Sequence, residues 1–350
     1  ALAEIGNIYT RIMNPTQGVL EARLSSLEGG TATAVGLPGA LAVSSGQSAE
    51  LLAILTIAET GSHIVASPSL YGGTYNLFHY TLPKLGINVT FVEDPDNLDQ
   101  WKAAVQPNTK LFYGEVLANP RNNILDIEGI SKVAHAAGVP LIVDNTVPSP
   151  YLCRPFDYGA DIVVHSLTKY LGGHGNSIGG AIVDSGKFPW AEHKAKFKRL
   201  NEPDVSYHGV VYTEALGPAA YIARARVVPL RNMGAALSPF NSFLILQGIE
   251  TLAVRMDRIC DNTLAVAKFL QQHPAVSWVN YAGLPDHPDH ALAQKYLAGR
   301  ASGILTFGVK GGRAAGEKFL DALKLVIRLV NIGDARSLAT HPASTTHRQL

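Results

Sequence analysis

Short apolar runs alternate with longer amphipathic ones through the first half of the chain. Runs of aliphatic and β-branched residues occur at Leu41–Ser44, His63–Ala66, Asn88–Val92, Leu111–Glu115, Leu141–Asp144, Ile162–His165 and Gly180–Val183. Each is short and followed by turn-forming or polar residues, as buried strands are. The segments 47–58, 73–85, 98–105, 127–137 and 168–172 predict helices between them. Before this region, Val19, Leu20, Leu24 and Leu27 recur at helical spacing and stop at Gly29-Gly30. Residues 31–39 are small and breaker-rich, which predicts a loop.

The pattern then changes. Residues 185–235 carry Pro189, Pro203, Pro218 and Pro229 and read as irregular. A long helical pattern follows from Pro239 to Gln272, with a bend expected near Gly248. Ser277–Asn280 and Gly303–Val309 read as strands, and 313–324 as a helix. Alternation of this kind predicts an α/β fold with a mostly parallel sheet covered on both faces. In such sheets ligands bind beyond the carboxyl ends of the strands. Asp144 and the segment 165–169 both lie at such ends.

Composition narrows the picture. The 350 residues are 47% hydrophobic, enough for a large core and two domains. Charged residues are 16% and the net charge is +1, which argues against a nucleic-acid footprint. The densest basic stretch, Lys194 to Arg199, reads as a solvated face. Cys153 and Cys260 form no ligand-spaced cluster, so neither a metal site nor a disulfide scaffold is expected; a reducing cytosol suits them. No stretch approaches the ~18 apolar residues of a membrane span. The chain begins at Ala1 without Met or a signal-peptide pattern, so residues before it are expected to be cleaved or absent.

The most informative run is IVVHSLTKYLGGHG, 162–175. An apolar strand ends at His165, two hydroxyls (Ser166 and Thr168) flank the approach to Lys169, and a glycine-rich turn follows. A lysine after a strand is ordinarily a surface residue. Here hydroxyls suited to a phosphate stand beside a primary amine suited to an imine, the arrangement that pyridoxal phosphate (PLP) needs. Partial desolvation would lower the amine pKa and help imine exchange. In LIVDNT, Asp144 ends a buried strand, where a carboxylate is costly unless paired. It either caps the turn at Thr146 or pairs with a protonated pyridine nitrogen. Lys169, 25 residues later on the next strand, favours the second reading.

Two further motifs add weaker support. In AVSSGQSAE a strand ends at Ser44-Ser45-Gly46 and a helix begins, offering free amides and a positive dipole to an anion. Ordinary capping explains it as well. In SPSLYGGTYN, Tyr71 precedes a glycine pair and could stack on a flat heterocycle, or sit in the core beside a turn. His165 and His174 read as hydrogen-bonded structural histidines.

These motifs, in this order, resemble the Cys/Met-metabolism PLP enzymes (the transsulfuration family). The resemblance rests on IYTRIMNPTQGVLEARLSSLEGG, SSGQSAE, SPSLYGGTYNLFHYTLPKLGI, the ANP at 118–120, VDNT, HSLTKYLGGHG and HPASTTH. Within that family, YGGTYNLFHYTLPKLGI, the long stretch from Tyr207 to Arg258, and NIGDARSLATHPASTTHRQL look most like O-acetylhomoserine sulfhydrylases. The resemblance implies the aspartate-aminotransferase-like fold type I, with a seven-stranded sheet flanked by helices and a smaller C-terminal α/β domain. It implies an N-terminal segment over 1–40 that contacts a neighbouring subunit, a PLP-binding domain over 41–238 and a C-terminal domain over 239–350.

It also implies roles. Lys169 would be the Schiff-base lysine and main proton shuttle, and Asp144 would pair with the pyridine nitrogen. Tyr71 would stack over the ring and assist proton transfer. Ser45, Gly46 and Gln47, with the Ser166 and Thr168 hydroxyls, would hold the phosphate. Tyr9 and Arg11 would reach a neighbour's phosphate, making a dimer obligate and a cytoplasmic homotetramer the expected assembly. Asn119 and Ser337 would lie near the ring or the substrate carboxylate. The implied reaction is γ-replacement: O-acetyl-L-homoserine with sulfide or a small thiol gives homocysteine or a thioether, and acetate. A methionine γ-lyase, or a cystathionine γ-synthase or O-succinylhomoserine sulfhydrylase, shares the cofactor residues. Outside the family stand a nicotinamide-dependent oxidoreductase, for which GGHGNSIGG is misplaced, and a non-catalytic PLP-binding or interaction protein. The family continues past HPASTTH to an arginine that clamps the substrate carboxylate. The sequence ends at Leu350 before that motif, and Arg336 does not occupy its place. The stretch 31–41 looks longer than is usual in the family.

Overall fold

The computed structural model describes residues 6–32 and 36–342. Part of the 31–41 stretch and the HPASTTH motif from residue 343 onward therefore lie outside the described residues. The first helix, α1 (Pro15–Glu28), starts where expected from local chemistry. Asn14 caps it, accepting from the Thr16 N–H at 3.0 Å, and Pro15 occupies the first helical turn. Gly29 ends it at φ 78°, a left-handed conformation that glycine adopts without a Cβ penalty.

All seven expected strands form, within a residue or two of their expected bounds. They are β1 (Ala40–Val43), β2 (His63–Ala66), β3 (Asn88–Phe91), β4 (Thr109–Glu115), β5 (Leu141–Asp144), β6 (Ile162–Ser166) and β7 (Gly180–Asp184). They make one sheet in the order β1-β7-β6-β5-β4-β2-β3. Strand β7 runs antiparallel to β1 and β6; the remaining pairs are parallel. The intervening helices are α2 (Gly46–Ile57), α3 (Gly72–Asn76, continued by tighter and wider turns to Leu85), α4 (Leu98–Ala103), α5 (Ile127–Ala136) and the short α6 (Ser149–Leu152). Helix α2 packs on β6 and β7, and α1 on β1 and β7. Phe78, Trp101, Phe112 and Tyr113 are fully buried in this core. Burying each such side chain contributes roughly 1.5–3 kcal/mol.

Three expectations need correction. The segment 168–172 is a turn rather than a helix. Its hydrogen bonds run from Lys169 N–H to Ser166 O, from Gly172 N–H to Leu167 O and from Gly173 N–H to Lys169 O. The Tyr170 carbonyl is instead taken by the Arg255 guanidinium at 2.8 Å, and Gly173 adopts φ 72°.

The stretch 185–235 is less irregular than its prolines suggest. It holds α7 (Lys198–Asn201), α8 (Tyr212–Leu216), α9 (Ala220–Ala225) and α10 (Arg231–Met233). Pro229 sits in a wide helical turn, Arg226–Leu230, that bridges α9 and α10. Such a turn accommodates a residue lacking an N–H donor.

The long pattern 239–272 is two helices, α11 (Pro239–Glu250) and α12 (Leu252–Gln272), broken at Thr251. The Thr251 N–H and hydroxyl both bond the Gly248 carbonyl, which draws the chain out of the helical path. Gly248 itself presses on the lysine turn: a Cβ there would lie 2.1 Å from the Gly172 carbonyl oxygen. Beyond α12, β8 (Val276–Asn280) pairs antiparallel with β9 (Thr306–Val309), and α13 (His290–Tyr296) lies between them in sequence. Helix α14 (Gly312–Ala322) follows, and the short β10 (Ile327–Arg328) and β11 (Leu338–Ala339) pair in parallel. Among the described residues no helix is long and apolar enough to cross a membrane.

Candidate active site

The carboxyl ends of β1, β2, β5 and β6 bring four of the motifs into one region. Ser45 caps α2, accepting the Ser48 N–H at 3.1 Å, so the N–H groups of Gly46 and Gln47 head a helix with no acceptor in it. This helix start abuts the lysine turn. A Cβ on Gly46 would lie 2.8 Å from Ser166 Cβ and 3.2 Å from its hydroxyl oxygen. Only glycine permits that approach.

Asp144 ends β5 in the same region. Its Oδ1 accepts the Thr146 N–H at 2.7 Å, and the Thr146 hydroxyl accepts the Ser166 N–H at 2.8 Å. Thr146 thus joins the carboxylate to the hydroxyl-bearing turn. The turn-capping reading of Asp144 is present in the geometry, through the Thr146 N–H on its Oδ1. Burial pushes the Asp144 carboxyl up, partly offset by the Thr146 bonds and the nearby His165.

Lys169 is partly buried, and burial pulls its amine down from the usual lysine range. Its Nζ donates to Asn331 Oδ1 at 2.9 Å. Thr168 exchanges hydrogen bonds with the Gly179 backbone, its hydroxyl donating at 3.3 Å and accepting at 3.2 Å. The two hydroxyls therefore differ: Ser166 faces the helix start, and Thr168 is engaged with Gly179, the residue before β7.

Tyr71 is half exposed, and its ring lies where Gly73 carries no side chain; a Cβ there would come within 2.5 Å of Tyr71 Cε1. The same Cβ would meet Gln47 Cδ at 3.4 Å, so Tyr71 and Gln47 are close neighbours around Gly73. Gln47 in turn donates to Glu50 Oε2 at 3.0 Å. Asn119 is partly buried on the loop after β4. Ser337 is exposed, and its carbonyl accepts the Ile327 N–H across the β10–β11 pair.

Tyr9 and Arg11 stand differently. Both are exposed, and the Arg11 guanidinium lies over the Tyr9 ring at 4.8 Å. Arg11 also approaches Gly234. None of their bonds among the described residues reaches Lys169 or Asp144. His165 is buried on Glu28, and His174 Nδ1 pairs with the Gly172 carbonyl, so both are hydrogen-bonded structural histidines. Arg336 is held by Asp334 through two contacts of 3.0 and 2.8 Å.

Two residues near the lysine, Asn331 and Arg255, were not singled out by sequence reasoning, and a third, Thr146, was read only as a turn to be capped. Asn331 binds the amine. Its one signal is that it opens the stretch NIGDARSLATHPASTTHRQL. Thr146 closes the motif that Asp144 opens. Arg255, on α12, donates to the Tyr170 carbonyl at 2.8 Å and the Gly248 carbonyl at 2.7 Å, strapping the lysine turn to α11. Its one signal is that it lies in the stretch from Tyr207 to Arg258.

These residues fit a phosphate-bearing aldehyde cofactor. Gly46 leaves open the approach between a helix start and Ser166, where backbone amides could hold a phosphate. A buried carboxylate at the strand end suits a cationic ring nitrogen. A desolvated amine suits an aldehyde.

Comparison with known proteins agrees. The family model described as "Cys/Met metabolism PLP-dependent enzyme" matches residues 1–350. The O-acetyl-L-homoserine sulfhydrylase of Leptospira meyeri is 55% identical over 100% of this chain and 79% of its own length. The homocysteine synthase of Schizosaccharomyces pombe is 51% identical over 100% of this chain and 80% of its own. A crystal structure from Campylobacter jejuni, which contains N'-pyridoxyl-lysine-5'-monophosphate, superposes with a TM-score of 0.93 at 39% identity. It covers 100% of this chain and 81% of that one.

Proposed function

We propose that this chain, which belongs to the Cys/Met metabolism PLP-dependent enzyme family, replaces the acetate of O-acetyl-L-homoserine with sulfide to give L-homocysteine. The observation that carries this reading is the match, along the whole of this chain and about four fifths of theirs, to proteins named for that activity. In the net reaction the Cγ–O bond breaks, a Cγ–S bond forms, and acetate leaves. A small thiol in place of sulfide would give a thioether.

Bound PLP supplies a carbonyl for the substrate amine and a conjugated ring that takes up electrons when the Cα proton departs. The chain's own residues do the rest. Lys169 Nζ, whose amine burial pulls down from the usual lysine range, accepts the Cα proton and later returns one. Asn331 Oδ1 holds that amine in place between transfers. Asp144 balances the charge of the ring nitrogen. The Gly46 and Gln47 amides, with Ser45, Ser166 and Thr168, bind the phosphate. Tyr71 covers the ring and assists proton transfer. Asn119 and Ser337 would contact the ring or the substrate carboxylate. Tyr9 and Arg11, exposed in their own subunit, complete a partner's phosphate site, in a cytoplasmic tetramer built from catalytic dimers.

The test is turnover by purified protein of O-acetyl- and O-succinylhomoserine, each with sulfide, with cysteine and with neither. Homocysteine formed only from the acetyl ester with sulfide supports the reading. Release of 2-oxobutyrate and ammonia as the main products would make it a γ-lyase, and preference for the succinyl ester with cysteine would make it a cystathionine γ-synthase. Full turnover by Lys169→Ala would overturn the role of the lysine.

A further inference from the structure

Glu115 ends β4, and its register partner at the end of β5 is Asp144. Two carboxylates thus stand side by side on neighbouring strands, an arrangement that like charges disfavour. Glu115 is only 5% exposed. Burial, and then the Asp144 charge, push its carboxyl well above the usual range. A buried acid in this position is costly unless its oxygens are used.

Both are used, and both by backbone. Oε1 accepts the N–H of Tyr71, and Oε2 accepts the N–H of Asn119 at 3.3 Å. Tyr71 lies on the loop that leaves β2, and Asn119 on the loop that leaves β4. One side chain therefore holds two loops, 44 and 4 residues away in sequence, at the carboxyl edge of the sheet. Because the bonds are to amides, they set the points from which the two side chains project and leave those side chains free to face a ligand.

We propose that Glu115 is a positioning residue that fixes Tyr71 and Asn119 relative to one another. Its catalytic consequence rests on the function proposed above; the tether itself does not. Glu115→Ala removes both acceptors. Glu115→Gln keeps one acceptor oxygen and turns the other into a donor that repels an N–H.

The first readout is amide hydrogen exchange in the cofactor-free protein. Exchange at Tyr71 and Asn119 should quicken about tenfold or more in Glu115→Ala, and at one of the two in Glu115→Gln. The second is a pair of double-mutant cycles on kcat/KM, Glu115→Ala with Tyr71→Phe and with Asn119→Ala. Both pairs should be non-additive, as sites sharing a partner are. Unchanged exchange at both amides, or additive cycles in an active enzyme, would overturn the proposal. Should Glu115→Ala fail to fold, exchange in Glu115→Gln decides alone: loosening at one amide supports the tether, and none at either refutes it. A wild-type protein without sulfhydrylase activity would refute the proposed function, while the exchange data would still judge the tether.

Discussion

Lys169 and Asn331 meet through a 2.9 Å hydrogen bond although 162 residues separate them. The segment carrying Asn331 is laid along the lysine turn. A Cβ on Gly333 would lie 2.4 Å from the Tyr170 nitrogen, and the Ala335 N–H donates to the Gly173 carbonyl at 2.8 Å. The amine is thus held by a neighbour whose own backbone is fixed to the same turn.

This contact predicts how the lysine titrates. Burial pulls the Lys169 amine down, and a carboxylate in place of the Asn331 amide would favour the ammonium form. Asn331→Asp should raise the amine pKa. In the cofactor-free protein, the pH of half-maximal acylation at Lys169, read by mass spectrometry, should move upward. Asn331→Ala should leave the amine without this acceptor and lower kcat more than it raises KM. A labelling profile that does not move in Asn331→Asp would count against the contact.

Gly46 predicts a second outcome. The Cβ of Gly46→Ala would meet Ser166 at its Cβ and its Cα, at 2.8 and 3.0 Å, so part of the strain falls on backbone. The helix start and the lysine turn must separate. Overpacking of this kind costs about 1–3 kcal/mol, and PLP affinity should fall about tenfold or more with it. Denaturant melts and cofactor titration by fluorescence quenching measure the two effects. Adding Ser166→Gly should recover much of the stability and little of the affinity, because the hydroxyl is then lost. Wild-type affinity in Gly46→Ala would show that the phosphate binds elsewhere.

Glu50 predicts the pH dependence of folding. It is buried behind Gln47 and Thr74, and burial, then the Asp144 charge, push its carboxyl up from 4.5 to about 8. Between those values the folded chain keeps a proton that the unfolded chain has released. Stability of the cofactor-free protein should therefore fall as pH rises through that window and level off above it, with Glu50 contributing at most about 1.4 kcal/mol per pH unit. Asp184, pushed by burial from 3.8 to about 7, acts in the same direction. Urea unfolding between pH 5 and 8 should show a shallower slope in Glu50→Gln than in the wild type. Equal slopes would mean that Glu50 does not hold the proton.

The strands were legible because each is a short apolar run whose partners only need to be apolar. His63–Ala66 and Leu141–Asp144 form at the expected bounds for that reason. The turn at 168–172 was not legible. Its local pattern permits a helix, and what prevents one is remote: Gly248 against the Gly172 carbonyl, and Arg255 on the Tyr170 carbonyl. Pro229 misled in the opposite direction, since a widened turn absorbs it.

The sequence by itself determined the alternating α/β architecture, the family, and the residue types that suit a phosphate-bearing aldehyde: Lys169, Asp144, Ser166 and the Ser45-Gly46 turn. These are local signals, carried by runs of a few residues whose periodicity and chemistry can be read in place. Only the tertiary structure decided which residues hold those groups. Asn331 reaches the amine, Arg255 straps its turn, and Glu115 joins the Tyr71 and Asn119 loops. Each of these contacts links separate segments. Sheet register and helix packing create them, and neither leaves a mark in the local pattern.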